Sequence, residues 1–398
     1  MANKNIFSKG KKLFFSFFVV AFGLTVPVIV SACGGSQGSD NSFKMDMDGS
    51  WWIQKTDSQA VENYQKLFNQ TFDEIKNSDQ KYKGVEGVNL KINPNVSDSV
   101  TKLTNVMTGK SDFSFVNMAT VSSPDAQTNK NFFEPYIQTL TQSWTYDSNE
   151  TYFDQDQGKS LMTIGQKATD AFNKTPYQSW DSDKEWDGAK YKKFYGEKLV
   201  RFYRGMIMIY GNPTELANIK KAWTDKDWKT FSNFGILHDK TSSAGGYLLE
   251  QALIRKQFGF DASWSLIDNL LPAKSEQKSH GGYLIGQDPN FRIAFDDEGS
   301  WAWQKNGDPS YFNPKDAEAK IEVLSVTDPL FYDYGIFNSK FKDQPLFKEL
   351  ILKTFQNLSQ KTTDQNIVDG LGFYSGYNGY DLSMKYNEIV SAYNKSIN

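Results

Sequence analysis

A run of small and hydroxyl-bearing residues in the second half of the chain has the composition of a phosphate-binding loop. It reads Thr241, Ser242, Ser243, Ala244, Gly245, Gly246 and Tyr247, and it lies between an apolar segment at 234–237 and a helical pattern at 248–254. Small residues let the backbone approach an anion, and the N–H groups at a helix start favour negative charge. Ordinary helix capping by Thr or Ser is the alternative. The position of this run, between an apolar segment and the start of a helical pattern, favours an anion site.

Three residues further along could meet the same ligand. His280 is one of two histidines and stands between Ser279 and two glycines. A structural histidine is the commoner fate of a lone one, but the nearby loop favours a functional role. Asp296 and Asp297 end a predicted strand; they are either surface or capping acids, or acceptors of a charge-assisted hydrogen bond from a cationic ligand.

The first predicted strand, 44–48, also delivers polar and aromatic side chains to a strand end. It ends at Asp48 and leads through Ser50 into Trp51 and Trp52. Open α/β sheets bind ligands at this edge, and a cationic ring can stack on an indole face. Packing against the first helix is an equally good explanation for either tryptophan.

Two acidic turns punctuated by glycine could hold a hard cation. Asp154 and Asp156 belong to the first, and Asp181 and Asp183 to the second. Oxygen clusters of this kind suit Ca²⁺, but neither turn completes the EF-hand spacing. A solvated loop is the favoured interpretation, with a structural Ca²⁺ as the alternative.

Enzymatic motifs were sought and none fits. The chain has no His-Glu-x-x-His, no Gly-x-Ser-x-Gly and no Walker loop. Ser243, His280 and Asp296 could be drawn as a triad, but hydroxyls at a helix start suit anion capture better than nucleophilic attack. Two histidines are too few for a two-metal phosphatase. We therefore expect a protein without catalytic activity and without a catalytic cofactor.

The N-terminus has the pattern of an export signal. Four lysines precede a long apolar stretch that ends at the chain's single cysteine, Cys33. The pattern resembles a bacterial lipobox, which implies removal of 1–32 and a lipid such as palmitate on Cys33. An uncleaved membrane anchor is the alternative. The polar segment 33–43 then links the lipid anchor to a body outside the cell membrane.

The length of the chain predicts two lobes, and its charge gives no sign of nucleic-acid binding. The chain has 398 residues, 44 basic and 47 acidic, which does not suggest nucleic-acid binding. Strand and helix patterns alternate as β-α-β-α-β, predicting α/β lobes with parallel strands. We expect a first lobe at 44–200 with an insertion at about 124–198, a second lobe at 201–325 and a return to the first lobe at 326–398.

The order of four segments resembles the phosphonate-type substrate-binding proteins of ABC importers. The resemblance rests on the strand and loop at 109–120, the loop at 241–247, Ser279 with His280, and the strand at 291–297. It implies a type II periplasmic-binding-protein fold, two α/β lobes joined by a two-strand hinge with the ligand in the cleft. It also implies ligand contacts from the opposite lobe by Asn117, Met118, Ala119 and Thr120.

Within that group, the lipobox, lysine bias, aromatic content and length are most similar to the mycoplasma high-affinity transport lipoproteins, the extracytoplasmic thiamine-binding lipoproteins. This resemblance implies thiamine pyrophosphate or thiamine phosphate as ligand, a membrane permease and a cytoplasmic ATPase as partners, and a monomer. Binding of a phosphonate or another organophosphate is the alternative cargo. A surface adhesin or antigen, or a hydrolase, is the alternative function.

Overall fold

The computed structural model describes residues 42–47, 58–148, 153–187, 190–361 and 377–397. Cys33, the leader 1–32, Asp48, Ser50, Trp51 and Trp52 lie outside these residues, so what the sequence predicts for them stays a prediction. In the described part, no helix combines the length and apolar character needed to cross a bilayer.

The described part of the chain contains fourteen strands. They are β1 (Ser42–Asp46), β2 (Asn89–Asn93), β3 (Phe113–Val116), β4 (Phe133–Trp144), β5 (Tyr195–Val200), β6 (Phe202–Tyr203), β7 (Gly205–Gly211), β8 (Ile236–His238), β9 (Ser275–Gln277), β10 (Ile293–Asp297), β11 (Lys320–Val326), β12 (Leu330–Phe331), β13 (Tyr334–Asn338) and β14 (Gly379–Leu382).

The same described ranges contain twelve α-helices. They are α1 (Ser58–Ser78), α2 (Ser99–Met107), α3 (Met118–Val121), α4 (Pro124–Thr128), α5 (Lys159–Asn173), α6 (Pro213–Thr224), α7 (Trp228–Asn233), α8 (Leu249–Phe258), α9 (Leu266–Asn269), α10 (Gly281–Leu284), α11 (Pro345–Lys361) and α12 (Tyr386–Ile397). A π-helical turn, Ala244–Leu248, precedes α8. Short 3₁₀ turns lie at Gln80–Tyr82, Tyr177–Ser179, Lys192–Phe194, Pro272–Lys274, Ser300–Trp303 and Ser339–Phe341.

Two mixed sheets form the cores of two lobes. The first has the order β14-β4-β13-β3-β1-β2, with β5 added beside β4. Its strands β1, β2 and β3 run parallel, whereas β13 is antiparallel to both β3 and β4. The second sheet has the order β11-β7-β10-β8-β9, in which β10, β8 and β9 run parallel. Parallel strands align their carboxyl ends at one edge, where their loops meet.

Two short antiparallel strands connect the lobes. In β6 and β12, Tyr203 pairs with Leu330 and Phe202 with Phe331. Each crossing leads from one large sheet to the other, since β6 lies between β5 and β7 and β12 lies between β11 and β13. The pair β6–β12 is the hinge of this two-lobed α/β architecture.

A buried ion pair fastens the hinge. Arg204 has no exposed surface and donates from Nε to Asp147 Oδ2 at 2.6 Å. Its Nη1 donates to the carbonyl oxygen of Thr327 on the other crossing segment at 3.0 Å. Because charges buried in this way need both a partner and hydrogen bonds, Arg204 fixes the two crossing segments against each other.

The segment 124–198, predicted as an insertion on the first lobe, is divided between the two sheets. Its strand β4 pairs with β13 and β14 inside the first sheet. Its helix α5 packs on β11 of the second sheet, where Asn173 Nδ2 donates to the Ile321 carbonyl at 2.9 Å and Thr169 Oγ1 accepts from Val323 N–H at 2.8 Å. The segment therefore contains a strand and a helix that belong to different lobes.

Local sequence explains how the covering helices are placed. In α1, buried residues recur at Val61, Tyr64, Phe68 and Phe72, a spacing of three to four that faces one side of a helix toward the first sheet. Helix α6 begins at a capping box in which Asn212 and Glu215 satisfy each other's backbone N–H groups.

Candidate functional site

The predicted phosphate loop folds back onto the end of β8. Asp239 N–H donates to the Gly246 carbonyl at 3.0 Å, and Leu248 N–H donates to the Ser243 carbonyl at 3.0 Å. The chain therefore enters α8 through a π-helical turn rather than through a side-chain N-cap. Thr241 and Ser242 are exposed, whereas Gly245 and Gly246 are buried. The turn presents backbone N–H groups at the start of a helical segment, as anion sites require.

Tyr247 belongs to the core of the second lobe. It is 3% exposed, and its hydroxyl accepts a hydrogen bond from Ile267 N–H at 3.0 Å. Its ring packs against His238 at 5.7 Å. The side chain therefore anchors the loop from behind, while the sequence predicted it as a ligand contact.

His280 and Asp296 form a pair at the carboxyl end of β10. Nδ1 of His280 lies 3.3 Å from Asp296 Oδ1, and this hydrogen bond raises the pKa of His280. The imidazole stacks on the Tyr283 ring with 4.8 Å between centroids. Asp296 is 2% exposed and also accepts from Gly282 N–H at 3.1 Å. His280 itself stays half-exposed. Ser279, beside it, is exposed.

Asp297 lies directly against the predicted phosphate loop. Its carboxylate occupies the space that a Cβ on Gly245 would need. Burial, followed by the charge of Asp296, raises the pKa of Asp297 to about 7. Asp239 also packs on Gly246, with its Cβ 2.9 Å from the position of an added Cβ. The loop is therefore bordered by Asp297, which the sequence predicted as a ligand contact, and by Asp239, which it did not.

A further acid lies behind the loop. Glu250 in α8 has no exposed surface. Burial raises the pKa of Glu250 well above its usual range. Its carboxylate fills the space beside Gly205. Since Gly205 pairs with Asp297 across β7 and β10, Glu250 and Asp297 approach the same strand region.

Aromatic and acidic side chains meet at the hinge. Tyr203 and Tyr332 pack with 5.1 Å between ring centroids. Asp333 accepts a hydrogen bond from Tyr377 Oη at 2.7 Å. Burial raises the pKa of Tyr203 well above its usual range, with the charges of Asp297 and Asp333 adding to the effect. An arrangement of ring faces and carboxylates favours a cationic aromatic group.

The predicted contact segment of the first lobe begins where β3 ends. Asn117 caps α3 through its Oδ1, which accepts from Thr120 N–H at 2.8 Å. Asn117 is exposed, and Ala119 and Thr120 are partly exposed. Met118 is 1% exposed, and its sulfur accepts from Phe331 N–H at 3.4 Å. Met118 therefore secures α3 to the hinge.

The structure brings the two predicted segments, 117–120 and 241–247, into one apolar cluster. Met118 and Leu330 pack there with Leu249 of α8, and Ala244 and Tyr203 lie at its margin. Met118 and Ala244, one from each segment, thus pack in or against the same apolar cluster, which includes Leu330 of β12.

The two acidic turns are satisfied locally. Asp154 Oδ1 accepts from Asp156 N–H and Gly158 N–H, at 3.2 and 2.8 Å. Asp181 Oδ1 accepts from Asp183 N–H at 3.1 Å. Within the described ranges, His280, Asp296 and Asp297 are the one group of three metal-type side chains with ligand atoms within 4.8 Å of one another. It includes none of the four turn residues.

The triad of Ser243, His280 and Asp296 considered from the sequence is only partly formed. His280 engages Asp296, but in the described structure no hydrogen bond joins Ser243 to His280. Sequence patterns also did not point to Tyr203, Tyr332 or Glu250. Tyr203, in β6, and Tyr332, directly after β12, could have been recognised as neighbours only once these strands were known to pair, because 129 positions separate them.

The fold and the site define a substrate-binding protein of the two-lobed, type II periplasmic-binding class, and this predicted fold class is confirmed. The model of one family, described as extracytoplasmic thiamine-binding lipoprotein, matches residues 62–397. The chain belongs to that family.

Relatives in two organisms support the assignment. The high affinity transport system protein p37 of Mesomycoplasma hyorhinis is 32% identical over 374 residues, covering 91% of each chain. Its namesake in Mycoplasma pneumoniae is 34% identical over 320 residues, covering 76% of this chain and 80% of the relative. A solved structure of Mycoplasma hyorhinis Mh-p37, described as a candidate thiamine pyrophosphate transporter, superposes with a TM-score of 0.77 at 32% identity and covers 90% of this chain.

Proposed function

We propose that the chain is the lipid-anchored substrate-binding protein of an ABC importer and that it captures a thiamine phosphate, with thiamine pyrophosphate as the preferred ligand. The observation that carries the proposal is the pairing, in one region, of a Gly-rich helical turn with a hinge lined by tyrosine rings and carboxylates. The first suits phosphate, and the second suits a cationic aromatic ring.

Membership of a thiamine-binding family supports the thiamine part of this ligand, which carries its two rings. In our proposal the thiazolium and aminopyrimidine lie near Tyr203 and Tyr332, with Asp333 supplying negative charge. A desolvated cation over an aromatic face gains about 0.5–2 kcal/mol. Carboxylates also accept hydrogen bonds from an amino group more strongly than neutral acceptors do.

The phosphate end would be held by backbone N–H groups and hydroxyls at residues 241–246. Ser243 is the nearest hydroxyl to Gly246, 3.2 Å from where a Cβ would be. Residues Asn117 and Thr120 would meet this end from the first lobe. Closure about β6 and β12 would then bury the ligand and present the closed form to a permease.

We also propose where the protein lies in the cell and which proteins receive its ligand. Cys33 would carry the lipid after loss of residues 1–32, which places the folded body at the outer face of the membrane. Capture without turnover would leave the ligand intact for a permease and an ATPase. The names of the relatives as transport proteins support this non-enzymatic role.

Isothermal titration calorimetry with three ligands tests the proposal. Thiamine pyrophosphate should bind more tightly than either thiamine or pyrophosphate, because each fragment engages only one half of the site. Ser243→Leu should weaken thiamine pyrophosphate and leave thiamine nearly unchanged. Ser179→Leu, at an exposed serine remote from the loop, is the matched control. Equal affinity for an unrelated phosphonate, or no binding of any thiamine compound, would contradict the proposal.

A further inference from the structure

We propose that His280, Asp296 and Asp297 form a divalent transition-metal site whose ion bridges the protein to the phosphate of its ligand. The inference rests on the proposed function for the identity of that ligand, but not for the existence of the ion site. Its basis is a cluster in which the imidazole nitrogen and the two carboxylate oxygens lie within 4.8 Å of one another.

The spacing suits one ion. Ligand atoms bound to a common ion at about 2.0–2.2 Å lie roughly 3–4 Å apart. The distance between His280 Nδ1 and Asp296 Oδ1 is 3.3 Å, and a carboxylate oxygen of Asp297 lies within 4.8 Å of both. One imidazole with two carboxylates is a donor set for Zn²⁺ or Mn²⁺, whereas Ca²⁺ takes oxygen ligands.

Buried backbone N–H groups orient part of this cluster. Asp296 is 2% exposed and is oriented by the N–H groups of Gly282 and Asp297, at 3.1 and 2.9 Å. Buried hydrogen bonds of this kind orient metal-binding carboxylates in proteins. His280 remains 48% exposed on the opposite side. The three protein ligands therefore leave open positions toward solvent, as a site that binds a further ligand requires.

The carboxylates beside the predicted phosphate loop favour a bound cation. The predicted phosphate loop touches Asp297 at Gly245 and Asp239 at Gly246. A pyrophosphate beside these acids meets repulsion unless a cation stands between them. A divalent ion on His280, Asp296 and Asp297 converts the three groups from repulsive neighbours into a phosphate anchor.

Electron paramagnetic resonance with Mn²⁺ alone tests the ion site without any thiamine compound. The metal-stripped protein should bind one Mn²⁺ per chain. Asp297→Asn should weaken it by about tenfold or more, and His280→Gln should do the same. Because His280 is half-exposed, its replacement removes little buried packing. Asp181→Asn, in an acidic turn, is the matched control and should bind as the parent does. No Mn²⁺ binding by the parent, or equal loss in the control, would overturn the proposal.

Calorimetry with thiamine pyrophosphate then tests the bridge. In the parent, affinity should be at least about tenfold higher with Mn²⁺ than with EDTA, since the ion replaces repulsion by attraction. Asp297→Asn should lose this difference. Equal affinity in Mn²⁺ and EDTA would refute the bridge. Mn²⁺ binding without any thiamine pyrophosphate binding would refute the bridge and the proposed cargo while leaving the ion site established.

Discussion

Asp297 fills the space beside Gly245 that any side chain at position 245 would occupy. The tight fit joins the end of β10 to the turn that opens α8, two elements that lie next to each other because β8 and β10 run parallel. Gly245→Ala should therefore push the loop away from β10. We expect a loss of about 1–3 kcal/mol in the free energy of unfolding, as for other overpacked sites.

The same variant should weaken binding of thiamine pyrophosphate, because the displaced turn no longer aims its N–H groups at the phosphate. Urea unfolding and calorimetry measure the two effects. Gly84→Ala, at a glycine with open space around it, is the control. A stable Gly245→Ala protein with parental affinity would show that the close contact is not needed for the site.

We expect the aromatic rings of the tyrosines at the hinge, Tyr203 and Tyr332, to contribute to thiamine binding. Tyr332→Leu removes the face that packs 5.1 Å from Tyr203, and we expect a loss of about 0.5–2 kcal/mol in the binding free energy of thiamine. Tyr332→Phe keeps the ring and should retain most of the affinity. Fluorescence titration with thiamine distinguishes the two. Equal losses in both variants would point to the hydroxyl instead of the ring.

Glu250 should make stability depend on pH. Burial raises the pKa of its carboxyl well above 4.5, the ordinary value, so the folded protein holds this proton more tightly than the unfolded chain does. Stability is then undiminished below the unfolded pKa and falls by about 1.4 kcal/mol per pH unit between the two pKa values. Glu250→Gln removes the titration.

We expect the unfolding free energies of the parent and Glu250→Gln to diverge as pH rises from 5 to about 8, with the variant becoming relatively more stable. Urea unfolding across this range measures the difference. Asp183→Asn, at an exposed acid, is the control. Parallel curves for the parent and Glu250→Gln would contradict a proton held by burial.

The hinge ion pair should be costly to break from one side. Asp147→Ala leaves the fully buried guanidinium of Arg204 without its carboxylate, and such losses cost about 3–5 kcal/mol. Lys184→Ala breaks an exposed pair with Asp181 and should cost at most about 1 kcal/mol. Thermal and urea unfolding compare the two. A similar small cost for both would mean that Arg204 finds another partner on relaxation.

Sequence patterns predicted the class of the fold because they depend on local periodicity. Alternating strands and helices, and the buried face of α1 at Val61, Tyr64 and Phe68, are visible in a short window. The membership of β4 and α5 in different lobes is not, because it depends on contacts such as Asn173 with Ile321, 148 positions away.

Some features of the candidate site could likewise be predicted from the sequence, and others could not. The Gly-rich turn at a helix start and the acids that end β10 could be recognised from residue types. The pairing of His280 with Asp296 is seen only in the structure. The inward direction of Tyr247 and the acids around Gly245 follow from packing, which residue type alone does not specify. Tyr203 and Tyr332 needed the register of the hinge strands before they could be seen as neighbours.

The most direct test of the account is native mass spectrometry of the folded body, expressed from Gly34 onward and purified without added ligand. We predict a bound mass equal to thiamine pyrophosphate, present in the parent and absent from Ser243→Leu. A parent that carries no ligand, and that also takes up no thiamine phosphate when one is added, would contradict the central claim that this chain captures thiamine phosphates.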